Sequence, residues 1–95
     1  MDAGSEMTLK MERVSVRHGV RIWLSGELRN QQLDALRSEI EGGGPHVTLD
    51  LTELNLVDID AVRFLNTCGA RGVKVVNCSP YIREWMYRER NQEKD

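Results

Sequence analysis

The readable pattern of the chain begins with period-two alternation. Leu9 and Met11 alternate with Lys10 and Glu12, and Val14 and Val16 continue in the opposite phase. One extra residue in a strand flips every later side chain to the other face, so this phase change predicts a β-bulge near Glu12 and Arg13. His18-Gly19 follows as a candidate tight turn able to supply positive φ angles. Val20, Ile22 and Leu24 then alternate with Arg21, Trp23 and Ser25. The two stretches predict an antiparallel hairpin with one apolar face, Trp23 on the other face, and Gly26 breaking the second strand.

From about Asn30 the period lengthens. Leu33, Leu36 and Ile40 fall on one helical face while Asp34, Arg37, Ser38 and Glu41 face water. Gly42-Gly43-Gly44-Pro45 stops this helix, because glycine takes the left-handed position that follows a helix and proline cannot continue one. Val47, Leu49 and Leu51 predict a third strand, followed by a loop over 52–57 anchored by Leu54, Leu56 and Val57. Asp58 is placed to cap a second helix whose apolar face is Ala61, Phe64, Leu65 and Cys68, with Gly69 and Gly72 around its end. Val73, Val75 and Val76 predict a short buried strand. Ser79-Pro80 opens a last helix with the face Tyr81, Ile82, Trp85 and Met86. The polar stretch from Arg88 to Asp95 is expected to fray.

The predicted order is β-β-α-β-α-β-α. Strands that alternate with helices after a hairpin give a mixed sheet with the helices mainly on one face, an α/β domain. Its limits are read as 8–90, with a flexible leader over 1–7 and a polar tail over 91–95. Trp23 then poses a question. On an uncovered sheet face it would mark a contact site, since tryptophan is enriched at binding hot spots; under a helix it would be ordinary packing. Tyr81 and Trp85 pose the same question for the last helix, core or partner surface.

Ninety-five residues allow one domain with a modest core. With 40% apolar and 29% charged residues the chain is globular in composition, and its five aromatic side chains leave the core to aliphatic ones. Thirteen basic and fifteen acidic residues, net charge -2, give no general reason to expect nucleic-acid binding, which needs a basic surface. Met1–Met7 carries Asp2 and Glu6 and lacks the apolar stretch of a signal peptide. No apolar run is long enough to span a bilayer. Cys68 and Cys78 read as small hydrophobes and not as a disulfide. Together these features predict a cytoplasmic protein without membrane insertion.

Catalytic chemistry is hard to assemble from this sequence. His18 and His46 sit in turns beside glycine or proline, away from any candidate nucleophile. Cys68 and Cys78 lack metal-site spacing, so neither zinc nor another cofactor is expected. The Gly42–Gly44 run lacks the lysine and hydroxyl of a phosphate loop. Asp50, Asp58 and Asp60 form the one acidic group near a plausible site. Such carboxylates can bind magnesium or transfer protons. Alternatively Asp58 is a helix cap and Asp60 a first-turn acid favoured by the helix dipole.

The run from Val47 to Leu65, with Asp50 on the strand and Val57-Asp58-Ile59-Asp60-Ala61-Val62 at the helix start, resembles the central signature of STAS domains. In that signature a strand aspartate is followed by a loop and Asp-Ser-Ser/Thr-Gly-Leu. Leu24-Ser25-Gly26-Glu27-Leu28 resembles the segment after the family's second strand, and Asn77-Cys78-Ser79-Pro80 the approach to its last helix. The likeness runs from about Thr8 to Arg90. It implies a STAS-like fold and a regulatory module of the anti-sigma-factor-antagonist type.

In that family a kinase-like anti-sigma factor docks near the helix start and phosphorylates the Ser or Thr before the glycine. The resemblance therefore implies partner contact at Leu28, Arg29, Asp58, Ile59, Asp60, Ala61 and Arg63. It makes Asp60 the phospho-acceptor-equivalent position. Asp60 and Ala61 depart from the pattern. An aspartate cannot accept phosphate from a Ser/Thr kinase and carries a fixed negative charge, so the switch is expected to be lost. Either the charge mimics a phosphorylated state or the position has drifted. The alternative is a structural STAS subunit that braces the ATPase of a bacterial phospholipid transporter. The protein is read as a monomer or weak dimer that binds a protein partner and is not an enzyme.

Overall fold

In the computed structural model, residues 9–93 are described; the leader expected over 1–7 lies outside them. The strands are β1 (Leu9–Val16), β2 (Gly19–Leu28), β3 (Val47–Val57) and β4 (Lys74–Val76). The helices are α1 (Leu33–Gly42), α2 (Ile59–Ala70) and α3 (Pro80–Glu93), with a single 3-10 turn, Asn30–Gln32, ahead of α1. The four strands lie in the order β1-β2-β3-β4. β1 pairs antiparallel with β2, and β2–β3 and β3–β4 are parallel. Parallel neighbours need a crossover, which α1 and α2 supply. The expected element order and mixed sheet are therefore present.

One face of the sheet carries the core. Ile22 and Leu24 of β2 and Leu49 and Leu51 of β3 are fully buried, and Leu36, Ala61, Val62, Leu65 and Ile82 close over them from the three helices. Arg13 of β1 reaches the same side and binds Glu39 and the Gly42 carbonyl of α1. α2 packs along α3 and against β4. Cys68 and Cys78 are both free thiols; burial pushes the Cys68 thiol up to about 11, against the pull of Arg37 and Arg71. No helix among the described residues is long and apolar enough to cross a membrane.

Several local expectations are corrected. β1 runs without a bulge from Leu9 opposite Gly26 to Val16 opposite Gly19. Leu9 and Met11 face the core, while Val14 and Val16 lie on the helix-free face and are exposed. The register irregularities fall between β2 and β3, at Trp23/Ser25 and Gly26/Glu27. The hairpin turn is Arg17-His18, and neither His18 nor Gly19 has a positive φ. Gly26, at φ +96, bends β2 without ending it. The loop predicted over 52–57 is strand, because β3 continues beside the end of β2 and buries Leu54 and Val57. β4 is half-buried, as an edge strand is. α3 stays helical through the polar stretch to Glu93, held there by a buried Glu89 that binds Arg63.

The opposite sheet face carries Arg21, Trp23 and Asp50, and no helix among the described residues covers it. Trp23 is half-buried there because the Arg21 guanidinium lies 5.3 Å from its ring centre. On α3 the predicted face divides: Ile82 and Met86 are core, Trp85 is half-buried, and Tyr81 is 57% exposed.

Candidate functional site

The parallel pairing of β2 with β3 brings their C-terminal ends, Leu28 and Val57, side by side. The chain leaves β2 through the 3-10 turn and leaves β3 directly into α2. The Asp58 N–H donates to the Leu28 carbonyl at 3.3 Å, which ties the two exits together.

Asp58 caps α2 as expected. Its Oδ1 accepts the Ala61 N–H at 2.9 Å, one of the donors that a helix start leaves without an intrahelical partner. Its Oδ2 accepts the Asn30 N–H at 2.8 Å, so one carboxylate also fixes the turn after β2. Asp60 lies in the first turn of α2, exposed, and accepts the Asn30 side-chain amide at 3.0 Å. The helix dipole favours both negative charges at this end. We expect Asp58→Ala to lose about 1–2 kcal/mol of stability, the usual worth of such a cap. Faster hydrogen exchange at the Ala61 and Asn30 amides should accompany the loss; unchanged exchange at Asn30 would show that the bridge to the turn contributes nothing.

Two arginines flank this pair, each held by a carboxylate that is itself buried. Arg29 binds Glu27 through Nε at 2.9 Å and through its terminal nitrogen at 2.8 Å. Arg63 binds Glu89 of α3 at 3.1 Å. Both guanidinium groups remain about half exposed, so the pairs orient them while leaving charge at the surface. Leu28 and Ala61 are fully buried and offer no side-chain surface, and Ile59 is half-buried. The surface of the site is therefore Arg29, Asn30, Asp60 and Arg63, standing on Leu28, Asp58 and Ala61.

Asn30, Glu27 and Glu89 were not among the expected residues. Glu27 lies in the family-like segment Leu24–Leu28 and two residues from Arg29, a legible signal. Asn30 and Glu89 are 30 and 26 residues from their partners and gave none.

Asp50 does not join this group. It sits eight residues up β3 from Asp58, roughly 25 Å away at strand rise, on the helix-free face. No three metal-ligating side chains come together among the described residues. Asp50 is 2% exposed. Its Oδ2 accepts from Arg21 at 2.7 and 3.1 Å and from Asn77 at 3.0 Å. Its Oδ1 accepts the Thr52 N–H at 3.0 Å and hydroxyl at 2.6 Å. Burial alone would raise its pKa, but the hydrogen bonds from Thr52, Arg21 and Asn77 outweigh it and hold the carboxyl well below its ordinary value of 3.8. Asn77, at φ +61 in the left-handed region, is anchored by the same bond. The aspartate that resembles a family signature is thus a structural pin between β2, β3 and the end of β4.

No family model matches the chain, and no curated protein matches it. Among solved structures, the anti-sigma factor antagonist SpoIIAA in its unphosphorylated form is similar, with a TM-score of 0.61. The sequences are 20% identical, over 84% of this chain and 80% of that one. The likeness is one of fold: this chain has the single-domain α/β architecture of the STAS fold.

Proposed function

We propose that this domain is a non-catalytic regulatory module that binds a protein partner at the end of the sheet where β2 and β3 meet α2. Arg29, Asp60 and Arg63 provide the contact surface, with Ile59 at its edge and Leu28, Asp58 and Ala61 holding its shape. The observation that carries the reading is Asp60. It is an exposed carboxylate in the first turn of α2, at the position that resembles a phospho-acceptor, and a built hydrogen bond from Asn30 orients it.

Binding here is not switched by Ser/Thr phosphorylation. A phosphoserine would carry about -1.5 to -2 charges and come and go with a kinase; Asp60 carries one charge permanently. A partner that meets this surface meets the same electrostatics at all times. In its natural setting the module acts in the bacterial cytoplasm, in control of transcription.

The test is an affinity pull-down from native lysate with wild-type and Asp60→Ser protein, followed by peptide mass spectrometry. Recovery of a Ser/Thr-kinase-like anti-sigma factor, with phosphate transfer to the serine variant only, is the expected result. Phosphate transfer to the wild-type chain near Asp60 would overturn the fixed-charge reading. An ABC-type ATPase recovered equally by both proteins would instead assign the chain a structural role in a transporter.

A further inference from the structure

α2 packs along α3, while α1 is tied to β1 through Arg13, leaving a groove between α1 and α2 of about 510 Å³. The Asn30–Asp60 bond holds the two helix starts together, so the groove follows α2 from its first turn to Arg71, just past its end. A 12-residue helix is about 18 Å long, which gives room for some three turns of a docked helix.

The floor is apolar. Leu33 and Ile40 of α1, Phe64 of α2 and Val73 lie along it, each partly buried and packed against the core. The walls are cationic. Arg37 stacks on the Phe64 ring at 5.3 Å and pairs with the exposed Asp34 at 2.8 Å, Arg63 is held out by Glu89, and Arg71 has no ion-pair partner among the described residues. The two acids of the groove stand at its ends, Asp60 at the start of α2 and Glu41 in the last turn of α1. An apolar stripe between arginines is the complement of one kind of ligand, a helix with an apolar face bordered by Asp and Glu.

We propose that this groove receives an acidic amphipathic helix of a protein partner. The proposal rests on the protein-binding reading above and extends the contact surface from Asp60 along α2 to Arg71. Leu33, Phe64 and Val73 would take apolar side chains at helical spacing, while Arg37, Arg63 and Arg71 would face the flanking carboxylates. The open face around Trp23 is on the other side of the sheet and takes no part.

The probe is a displayed library of helix-forming peptides of about 15 residues, randomised at apolar and flanking positions and selected on the full chain. Enriched peptides are then titrated into isotope-labelled protein. Three results are expected. The winners carry an apolar stripe flanked by Glu or Asp. Their shift changes centre on Leu33, Phe64, Thr67 and Arg71. Affinity falls at least ~10-fold in Arg71→Glu and in Arg37→Glu, and also falls as ionic strength rises. Arg71 is exposed and makes only backbone bonds among the described residues, so Arg71→Gln, which puts no negative charge at the C-cap of α2, should melt like wild type and also weaken binding. Basic or uncharged winners, indifference to both substitutions, or no enrichment would overturn the proposal. Peptides that map to Arg29 and Ile59 but not to Leu33, Phe64 or Arg71 would overturn it too, while leaving the protein-binding reading standing.

Discussion

Asp50→Asn is expected to lower the melting temperature by about 15 °C, corresponding to about 3 kcal/mol in a domain of this size. Every group around the Asp50 carboxylate is a donor: two nitrogens of Arg21, the N–H and hydroxyl of Thr52, and the amide of Asn77. An asparagine there must turn its own NH₂ toward one of them, leaving two donors facing each other in a site with almost no access to water. Arg21 would also lose its ion pair, but its side chain is 33% exposed and water can replace part of that contact. The greater loss is therefore on the buried side.

The same carboxylate makes stability depend on acid, and the direction is fixed. In the folded chain its pKa lies below the ordinary 3.8 of the unfolded one. The stabilisation from Asp50 is complete at neutral pH. Below pH ~4 the unfolded chain takes up the proton first, and the contribution is lost as pH falls toward the depressed folded value. Denaturant titrations of wild type and Asp50→Asn at neutral pH and near pH 3 would measure both effects. The gap between the two proteins should narrow in acid. A gap that is small at neutral pH, or unchanged in acid, would show that the network does not pin the sheet.

Gly19→Ala should be nearly as damaging, at about 2–3 kcal/mol. A Cβ at this position would collide with the carbonyl oxygen of His46 and come within 2.8 Å of the His46 Cβ. The obstacle is backbone, and that carbonyl already accepts the Val20 N–H at 2.9 Å where β2 begins to run beside β3. Relief would require opening the first rung of the central strand pair. Gly69→Ala is the control, because nothing lies within 4 Å of a Cβ there and the residue is helical. Thermal melts of the two variants should separate clearly, with Gly69→Ala at or above wild type. Equal behaviour would mean that the β2–β3 junction yields easily.

The contrast at Gly19 shows how far the sequence could be read. Its glycine beside a histidine suggested a turn that needs a positive φ. The structure uses the glycine for closeness to a strand that begins 28 residues later, and no local pattern reports such an approach. Gly26 misleads in the complementary way. It does take the left-handed conformation, yet the strand continues because β3 extends alongside it to Val57. The segment over 52–57 read as a loop because its apolar residues break strict alternation, and the irregular β2–β3 register absorbs that break.

Periodicity and punctuation by themselves determined the three helices, the caps of α2 and α3 and the stops of α1 and α2, since those depend on residues three or four apart. Asp58, Ser79, Gly44 and Gly72 all sit where their local chemistry placed them. The element order, the sheet type and the buried face of β2 followed from the same short-range pattern. The tertiary structure alone decided that Asp50 stands apart from Asp58 and Asp60, that Asn30 binds both acids at the start of α2, and that Glu89 of α3 holds Arg63. It also opened the arginine-lined groove between α1 and α2. The first follows from β3 running on as strand to Val57; the others join residues more than twenty positions apart or follow from how helices settle on a sheet. Only the closed chain, not its local pattern, sets those distances.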